Sequence, residues 1–223
     1  LNGESASDAA LRIAPLLNGA TLCIQGPPGT GKTFTGVRMI KALLEQGYKV
    51  GVTSNSHKAI ENVLNRLAPE LRTKPFKSAT STVKRARADD PLLTFIESKE
   101  IIDIMDTRPL CVGGTAWAFV RQELAGCFDY LFVDEASQVS LANLVAMSAS
   151  TTNIILMGDQ QQLGQPLQGS HPGEAGHSAL SYLLGDHTII PDALGLFLDT
   201  SYRMRPSVCS FISSAYYNGQ LLS

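Results

Sequence analysis

The alternation of apolar runs and helical patterns along the chain predicts an α/β fold. Six short runs are continuously apolar and rich in β-branched residues, and they span 22–25, 50–53, 110–113, 130–133, 154–157 and 196–198. Before, between and after these runs, apolar residues recur three or four positions apart over 7–17, 32–46, 58–67, 141–149, 179–184 and 206–217. Strands without a polar face are typical of a parallel sheet that is covered by helices on both sides. We therefore expect a mostly parallel sheet with helices on both faces.

Composition supports one domain and leaves one segment open. The 223 residues, 44% hydrophobic and 17% charged, suit a single globular domain over 1–223. Residues 69–106 break the pattern and form a candidate small inserted segment. Its first half carries six cations, which are Arg72, Lys74, Lys77, Lys84, Arg85 and Arg87. A solvated insertion and a nucleic-acid contact are both compatible with this composition.

Charge and cysteine usage restrict the setting in which the protein works. The net charge of −2 implies no general attraction to nucleic acid or anionic lipid. The chain has no run of 18 apolar residues, so we expect no membrane span. Four cysteines lie far apart without a CxxC pair, which favours reduced thiols and a cytoplasmic protein. The chain begins at Leu1 without a secretory leader, and we expect it to be part of a longer chain.

The strongest chemical signal is a glycine-rich loop between the first apolar run and the second helical pattern. Its sequence matches GxxxxGK[ST] throughout, and it consists of Gly26, Pro27, Pro28, Gly29, Thr30, Gly31, Lys32 and Thr33. Glycines let the backbone N–H groups curl around phosphate groups, and the following helix adds its positive end. Lys32 would then reach the β- and γ-phosphates, and the Thr33 hydroxyl would bind Mg²⁺. The loop predicts binding of a nucleoside triphosphate.

Two adjacent acids end the apolar run at 130–133. Asp134 and Glu135 follow this run about a hundred residues after the glycine-rich loop. An acid at such a strand end can hold the Mg²⁺ shell, and a second acid can deprotonate the attacking water. The pattern therefore assigns Asp134 to the metal and Glu135 to general-base catalysis.

Two later blocks place further polar groups after strands. Residues 156–163 read LMGDQQQL and residues 200–206 read TSYRMRP. Strand ends are where ligands bind in open α/β folds, and an amide there can sense a γ-phosphate by hydrogen bonding. An arginine aimed at the same phosphate would stabilise the charge that develops during phosphoryl transfer.

Together these blocks resemble the first RecA-like motor domain of superfamily 1 helicases. The similarity covers roughly residues 20–221 and is specific to the branch that contains the RNA-surveillance helicase and the nuclease-helicases with a RecB-like nuclease. GPPGTGKT resembles motif I, VDEASQ motif II and GDQQQL motif III, and SYRMRP resembles the block that follows motif III. This resemblance implies that Gln162 and Arg203 contact the γ-phosphate.

The resemblance also implies nucleic-acid contacts and partners. Ser54 and Asn55 resemble the start of motif Ia, and Thr115 resembles motif Ic, which in the family bind the phosphates of a single strand. Trp117 either stacks a base or packs in the core. The implied partners are single-stranded nucleic acid, with DNA favoured over RNA, a second RecA-like domain, and a RecB-like nuclease as a further candidate.

The sequence thus predicts a Mg²⁺- and ATP-dependent motor domain of a helicase or translocase that acts on single-stranded nucleic acid. The family's adenine-reading glutamine has no counterpart in LNGES at the start of the chain, which leaves the nucleotide preference open. The alternative is a nucleotide-binding module that hydrolyses almost nothing when isolated. A P-loop kinase would not need the GDQQQL and SYRM blocks in this order.

Overall fold

One parallel sheet organises the protein. A computed structural model describes residues 3–70, 77–80, 93–164, 169 and 171–223. In chain order the strands are β1 (Thr21–Gln25), β2 (Lys49–Thr53), β3 (Lys77–Thr80), β4 (Leu93–Phe95), β5 (Leu110–Gly113), β6 (Phe128–Asp134), β7 (Thr151–Gly158) and β8 (Gly195–Phe197). Their order in the sheet is β4-β3-β5-β2-β6-β7-β1-β8, and all described strand pairs are parallel.

Within the described residues, seven α-helices precede, connect or follow these strands. They are α1 (Ala6–Ile13), α2 (Lys32–Glu45), α3 (His57–Glu70), α4 (Ala116–Phe119), α5 (Leu141–Ser148), α6 (Ala179–Leu184) and α7 (Pro206–Tyr216). Serine hydroxyls accept hydrogen bonds from backbone N–H groups at the starts of α1, α5 and α6, which satisfies donors that have no partner within the helix. Helix α1 ends before the predicted residue 17, because Pro15 lies in a 3₁₀ turn that follows Ile13.

The apolar residues form one core on each face of the sheet. Alternate strand residues point to opposite sides, so that Ile24 of β1 joins the core under α1, α2 and α3, while Cys23 faces α4, α5 and α6. Tyr130 and Phe132 of β6 fill the first core, and Leu131 fills the second. The predicted parallel sheet with two helical layers is confirmed.

Two strands, β3 and β4, and one helix, α4, were not predicted from the sequence. β3 and β4 lie at one edge of the sheet, within the candidate inserted segment 69–106. β3 reads KSAT, which lacks the apolar run that identified the six predicted strands. α4 has only four residues, too few for a helical period to be recognised. Of the predicted cations, Lys77 begins β3, whereas Arg72, Lys74, Lys84, Arg85 and Arg87 lie outside the described residues.

The topology delivers each sequence block to the same edge of the sheet. The neighbouring strands β6, β7, β1 and β8 end at the acids, the GDQQQL block, the glycine-rich loop and the SYRM block, in that order. On the other side of β6, β2 ends before Ser54 and β5 ends before Thr115. The carboxyl edge of this sheet therefore has two adjacent halves. One carries the two acids, the glycine-rich loop and the GDQQQL and SYRM blocks, and the other carries Ser54 and Thr115.

Candidate nucleotide site and adjoining cleft

The glycine-rich loop wraps around the side chain of its own lysine. Gly26 N–H donates to the carbonyl of Gly158 at 2.9 Å, which fixes the start of the loop to the end of β7. The Lys32 ammonium donates to the Gly26 carbonyl at 2.6 Å. A Cβ at Gly26 would lie 2.5 Å from Lys32 Cγ, so a side chain there would displace the lysine. The loop thus encloses the side chain of Lys32, which is also the first residue of α2.

The SYRM block packs directly against the same loop. Ser201 Oγ donates to the Pro28 carbonyl at 3.0 Å, and Tyr202 N–H donates to the Gly29 carbonyl at 3.0 Å. Gly29 has φ +82°, and a Cβ there would lie 2.5 Å from Arg203 Cβ. Only glycine suits both this backbone conformation and this close approach. Arg203 is consequently held beside the loop although it is 170 to 177 positions away from it along the chain.

The predicted catalytic side chains meet at one cleft. This cleft has a volume of about 400 Å³ and is bordered by the whole stretch 27–33 and by Glu135, Gln162 and Arg203. Asn62 and Arg66 of α3 also border it, and Arg66 Nε donates to Asn62 Oδ1 at 3.2 Å. Neither residue was predicted from the sequence to lie at the site. Their spacing of four on the polar face of a helix was the available signal.

The two acids at the end of β6 have different environments. Asp134 is 4% exposed, and burial, followed by the nearby Glu135 charge, raises the pKa of its carboxyl to about 6. Glu135 is half-buried and borders the cleft. Its φ of +52° is uncommon for a residue with a side chain, and such backbone strain clusters at functional sites. Asp134 therefore suits a buried position that a cation stabilises, and Glu135 suits contact with solvent.

A loop on the far side of β1 ties the glycine-rich loop to the GDQQQL block. Gln25, at the end of β1, donates to the Thr188 carbonyl at 3.0 Å and accepts from Ile190 N–H at 2.7 Å. Gln160 donates to the same carbonyl at 2.8 Å. Both glutamine side chains thus hold one loop segment, which fixes the relative position of two predicted phosphate-binding elements.

One residue of the predicted single-strand track, Ser54, lies at a second, adjoining cleft. This cleft has a volume of about 520 Å³ and shares Asn62, Glu135 and Gln162 with the first. Ser54 borders it, but its hydroxyl is buried and has no hydrogen-bond partner. The structure does not bring Asn55 or Thr115 to its border; Asn55 is exposed after β2, and Thr115 precedes α4.

Trp117 lies on the surface rather than in the core. Its side chain is 79% exposed on α4, two residues after Thr115. An indole of this exposure forms little of the adjacent core, to which Phe119 of the same helix contributes instead. The core alternative for Trp117 is therefore wrong, and its role in base stacking stays a prediction.

Potential metal ligands at the nucleotide cleft are few. Within the described parts of the chain, no three histidine, cysteine, aspartate or glutamate side chains are grouped closely enough to hold a metal ion. Mg²⁺ in nucleotide sites needs only one or two protein oxygens, because phosphate and water oxygens complete its octahedron. The Thr33 hydroxyl and the Asp134 carboxylate fit that requirement in number and in chemistry.

The sheet and the glycine-rich loop define a P-loop nucleotide-binding domain of RecA-like architecture. The profile of the family described as "AAA domain" matches residues 10–166. The chain belongs to this AAA domain family, and within it resembles the first RecA-like domain of superfamily 1 helicases of the nuclease-helicase branch.

Known proteins agree with this assignment. The chain is 30% identical to the DNA replication ATP-dependent helicase/nuclease DNA2 of Gallus gallus in an alignment 216 residues long, which covers 89% of this chain and 20% of that protein. It is 28% identical to the Homo sapiens DNA2 in an alignment 214 residues long, which covers 89% of this chain and 19% of that protein. The chain thus spans about one fifth of the length of these relatives.

A solved structure shares the fold. The Arterivirus nonstructural protein 10 helicase, in complex with DNA, superposes with a TM-score of 0.54 at 19% identity. The similarity covers 93% of this chain and 41% of the viral protein. At this identity it supports the fold alone. The chain is similar to part of known helicases. No described helix is long and apolar enough to cross a membrane.

Proposed function

We propose that this domain binds Mg²⁺ and ATP, hydrolyses the bond between the β- and γ-phosphates, and drives movement of a larger protein along single-stranded nucleic acid. One observation carries the proposal. The glycine-rich loop, Glu135, Gln162 and Arg203 come from four different strand ends and border the same cleft. A surface loop that contained a lysine by chance would not be expected to lie beside an acid, an amide and a guanidinium from three other strand ends.

The proposed roles follow from charge and position. Lys32 leaves its carbonyl partner in the loop and binds the β- and γ-phosphates, which offer it a full charge. Thr33 and Asp134 hold Mg²⁺, which neutralises charge on the phosphate oxygens. Gln162 donates a hydrogen bond to the γ-phosphate, and Arg203 supplies a positive charge beside it. These groups orient the phosphate chain and stabilise the charge that grows during its cleavage.

Glu135 takes the proton from the attacking water. Its carboxylate borders the cleft, whereas the Asp134 carboxylate lies beneath it and is nearly inaccessible. A general base must come within hydrogen-bonding distance of the water that it deprotonates. This requirement favours the more accessible of the two acids.

We further propose that the adjoining cleft carries the single strand. Ser54 binds a phosphate of the strand at the border of this cleft, whereas Asn55 and Thr115 bind further phosphates and Trp117 stacks on a base beyond its border. We favour DNA over RNA, because the similar curated proteins named above are DNA replication helicase/nucleases. The adjacency of the two clefts, which share Glu135 and Gln162, offers a direct route by which hydrolysis affects strand binding.

The proposed protein is larger than this domain. A second RecA-like domain would cover the nucleotide and complete the strand track, and a RecB-like nuclease is a further candidate in the same chain. All four cysteines are free thiols, which supports a reducing compartment such as the cytoplasm.

Nucleotide binding is tested most simply at Lys32. We expect Lys32→Ala to weaken binding of Mg²⁺-ATP by at least about 100-fold in calorimetry, because a charge-assisted contact to phosphate is lost. Lys99→Ala is the matched control, since Lys99 pairs with Glu97 on the surface and does not border the cleft. Equal affinity of Lys32→Ala and the parent would refute the proposed nucleotide site.

A further inference from the structure

Asp159 is a buried acid that the proposed reaction does not use. It follows β7, is fully buried, and accepts three hydrogen bonds. Its Oδ2 accepts from the Tyr217 hydroxyl at 2.7 Å and from Gln162 Nε2 at 3.0 Å, and its Oδ1 accepts from Gln161 N–H at 3.2 Å. A buried carboxylate is costly unless donors surround it. Asp159 thus links the proposed γ-phosphate sensor to a distant tyrosine.

Tyr217 is itself held firmly by its surroundings. It is 2% exposed, it directly follows α7, and its N–H donates to the Ser213 carbonyl at 2.9 Å. Its ring lies 6.0 Å from that of Phe197 at the end of β8, in a small core with Cys209 and Leu221. Burial, reinforced by the hydrogen bond to Asp159, raises the pKa of the Tyr217 phenol far above its usual value. The hydroxyl therefore remains a hydrogen-bond donor throughout the neutral range.

We propose that Tyr217 and Asp159 are positioning residues, which fix the side-chain amide of Gln162 for its contact with the γ-phosphate. A carboxylate can only accept, so the group of Gln162 that faces Asp159 must be its NH₂. One N–H of this NH₂ group is thereby committed to Asp159. The other N–H and the carbonyl oxygen of the amide keep a defined direction at the border of both clefts.

The physical benefit is preorganisation of a flexible side chain. Gln162 is half-buried on a loop, where a free amide would sample several rotamers and both flip states. The contact with Asp159 removes that freedom before the phosphate binds. Tyr217 in turn keeps Asp159 in place, because its hydroxyl donates a hydrogen bond to the same Oδ2 atom that accepts from Gln162. Removal of the phenol oxygen therefore affects the γ-phosphate contact through two hydrogen bonds.

This inference rests on the proposed function and is tested in the full-length protein with Tyr217→Phe. The substitution keeps the ring in its small core and removes only the hydroxyl. We expect kcat for nucleotide hydrolysis to fall about 10-fold, as expected when a catalytic group is misplaced by a fraction of an ångström. Affinity for the nucleoside diphosphate, which lacks the γ-phosphate, should stay within about twofold of the parent.

Tyr130→Phe is the matched control. Tyr130 is also buried, and its hydroxyl donates to the Ala14 carbonyl at 3.0 Å in the core beneath α1. It loses one buried hydrogen bond of the same kind without contact to the cleft. We expect comparable losses of thermal stability in the two variants, but a fall in kcat only for Tyr217→Phe. Equal kcat values for Tyr217→Phe and Tyr130→Phe would overturn the inference.

A double-mutant cycle separates positioning from general destabilisation. In a Gln162→Ala background there is no amide left to orient, so Tyr217→Phe should have no further effect on kcat. Full additivity of the two changes would contradict the proposed relay. A binding measurement supplements the cycle. The ratio of the affinity for a slowly hydrolysed triphosphate analogue to the affinity for the diphosphate should fall about 10-fold in Tyr217→Phe.

These readouts distinguish the inference from the proposed function. If the parent neither hydrolyses nucleotide nor prefers the triphosphate, the proposed function and the inference both fail. If the parent does both and Tyr217→Phe matches it in both, only the positioning role of Tyr217 and Asp159 is refuted.

Discussion

The two halves of the carboxyl edge differ in how completely they are built. Around the nucleotide cleft, side chains and loops from β1, β7 and β8 are joined by hydrogen bonds, for example between Ser201 and Pro28 and between Gln162 and Asp159. At the adjoining cleft, the Ser54 hydroxyl is buried without a partner. Trp117, which does not border this cleft, is largely exposed on a short helix. The nucleotide half is preorganised within this domain, whereas the proposed single-strand half is not.

This difference indicates a division of labour. A phosphate chain is small, and one domain can surround most of it with its own backbone and side chains. A nucleic-acid strand is long, and a track for it needs surfaces on more than one body. We therefore expect substitutions in the nucleotide half to have large effects that depend on a single atom, and substitutions in the other half to have small ones.

The largest effect is expected for Glu135→Gln in the full-length protein. The amide has nearly the same shape but cannot accept a proton from water, so turnover should fall about 10²- to 10⁴-fold. Affinity for Mg²⁺-ATP should remain within a few-fold of the parent. Glu123→Gln, on the surface beside Arg121, is the control for the loss of one negative charge. Hydrolysis by Glu135→Gln within a few-fold of the parent would mean that another group is the base.

Asp134→Asn should raise stability while it removes the proposed Mg²⁺ ligand. The pKa of the folded Asp134 carboxyl is about 6 against an ordinary 3.8, so the folded state holds its proton more tightly than the unfolded state. The stability from this proton is complete below pH 3.8 and is lost as pH rises through 6. Without divalent cations, Asp134→Asn should exceed the parent by on the order of 2–3 kcal/mol at pH 7.5, with no gain near pH 3.5.

Denaturant unfolding at these two pH values, in a chelator, measures this difference. Asp186→Asn, at an exposed position, is the control and should not change the pH dependence. A parent that is more stable than Asp134→Asn at pH 7.5 would show that the folded protein favours the ionised carboxylate, which contradicts the environment described for Asp134.

The smallest effect is expected in the single-strand half. Trp117→Leu should weaken binding of a single-stranded oligonucleotide to the full-length protein about 5- to 10-fold, near the lower limit for loss of one stacked base. Trp117→Phe, which keeps an aromatic face, should recover most of this loss. Fluorescence anisotropy of a labelled oligonucleotide measures both. Unchanged affinity in Trp117→Leu would exclude stacking at this position.

How much of the fold the sequence predicted depended on whether the signal was local. The six continuously apolar runs were found as strands, because burial on both faces leaves no polar position. β3 escaped notice, since a strand near the sheet edge tolerates the polar residues of KSAT. Gly47, with φ +86°, adopts the left-handed conformation that is common just after a helix, and it follows α2, which ends at Glu45.

The candidate site divides in the same way. The stretch 26–33 and the pair Asp134 and Glu135 are contiguous in sequence, so their spacing alone indicated them. The contact between Asp159 and Tyr217 joins residues 58 positions apart and depends on how α7 packs. Asn62 and Arg66 reach the cleft only because α3 lies along its border. Contacts of this kind follow from tertiary structure and could not be deduced from local patterns.

The most direct test of the account is hydrolysis by residues 1–223 alone, with and without single-stranded DNA. The preorganised half predicts that this domain binds Mg²⁺-ATP, and the incomplete half predicts slow hydrolysis with little response to DNA. An arginine from a second domain contributes about 10³- to 10⁵-fold in comparable phosphoryl-transfer systems, and we expect a deficit of this order relative to the full-length protein. Several turnovers per second by residues 1–223, strongly stimulated by single strands, would contradict the account.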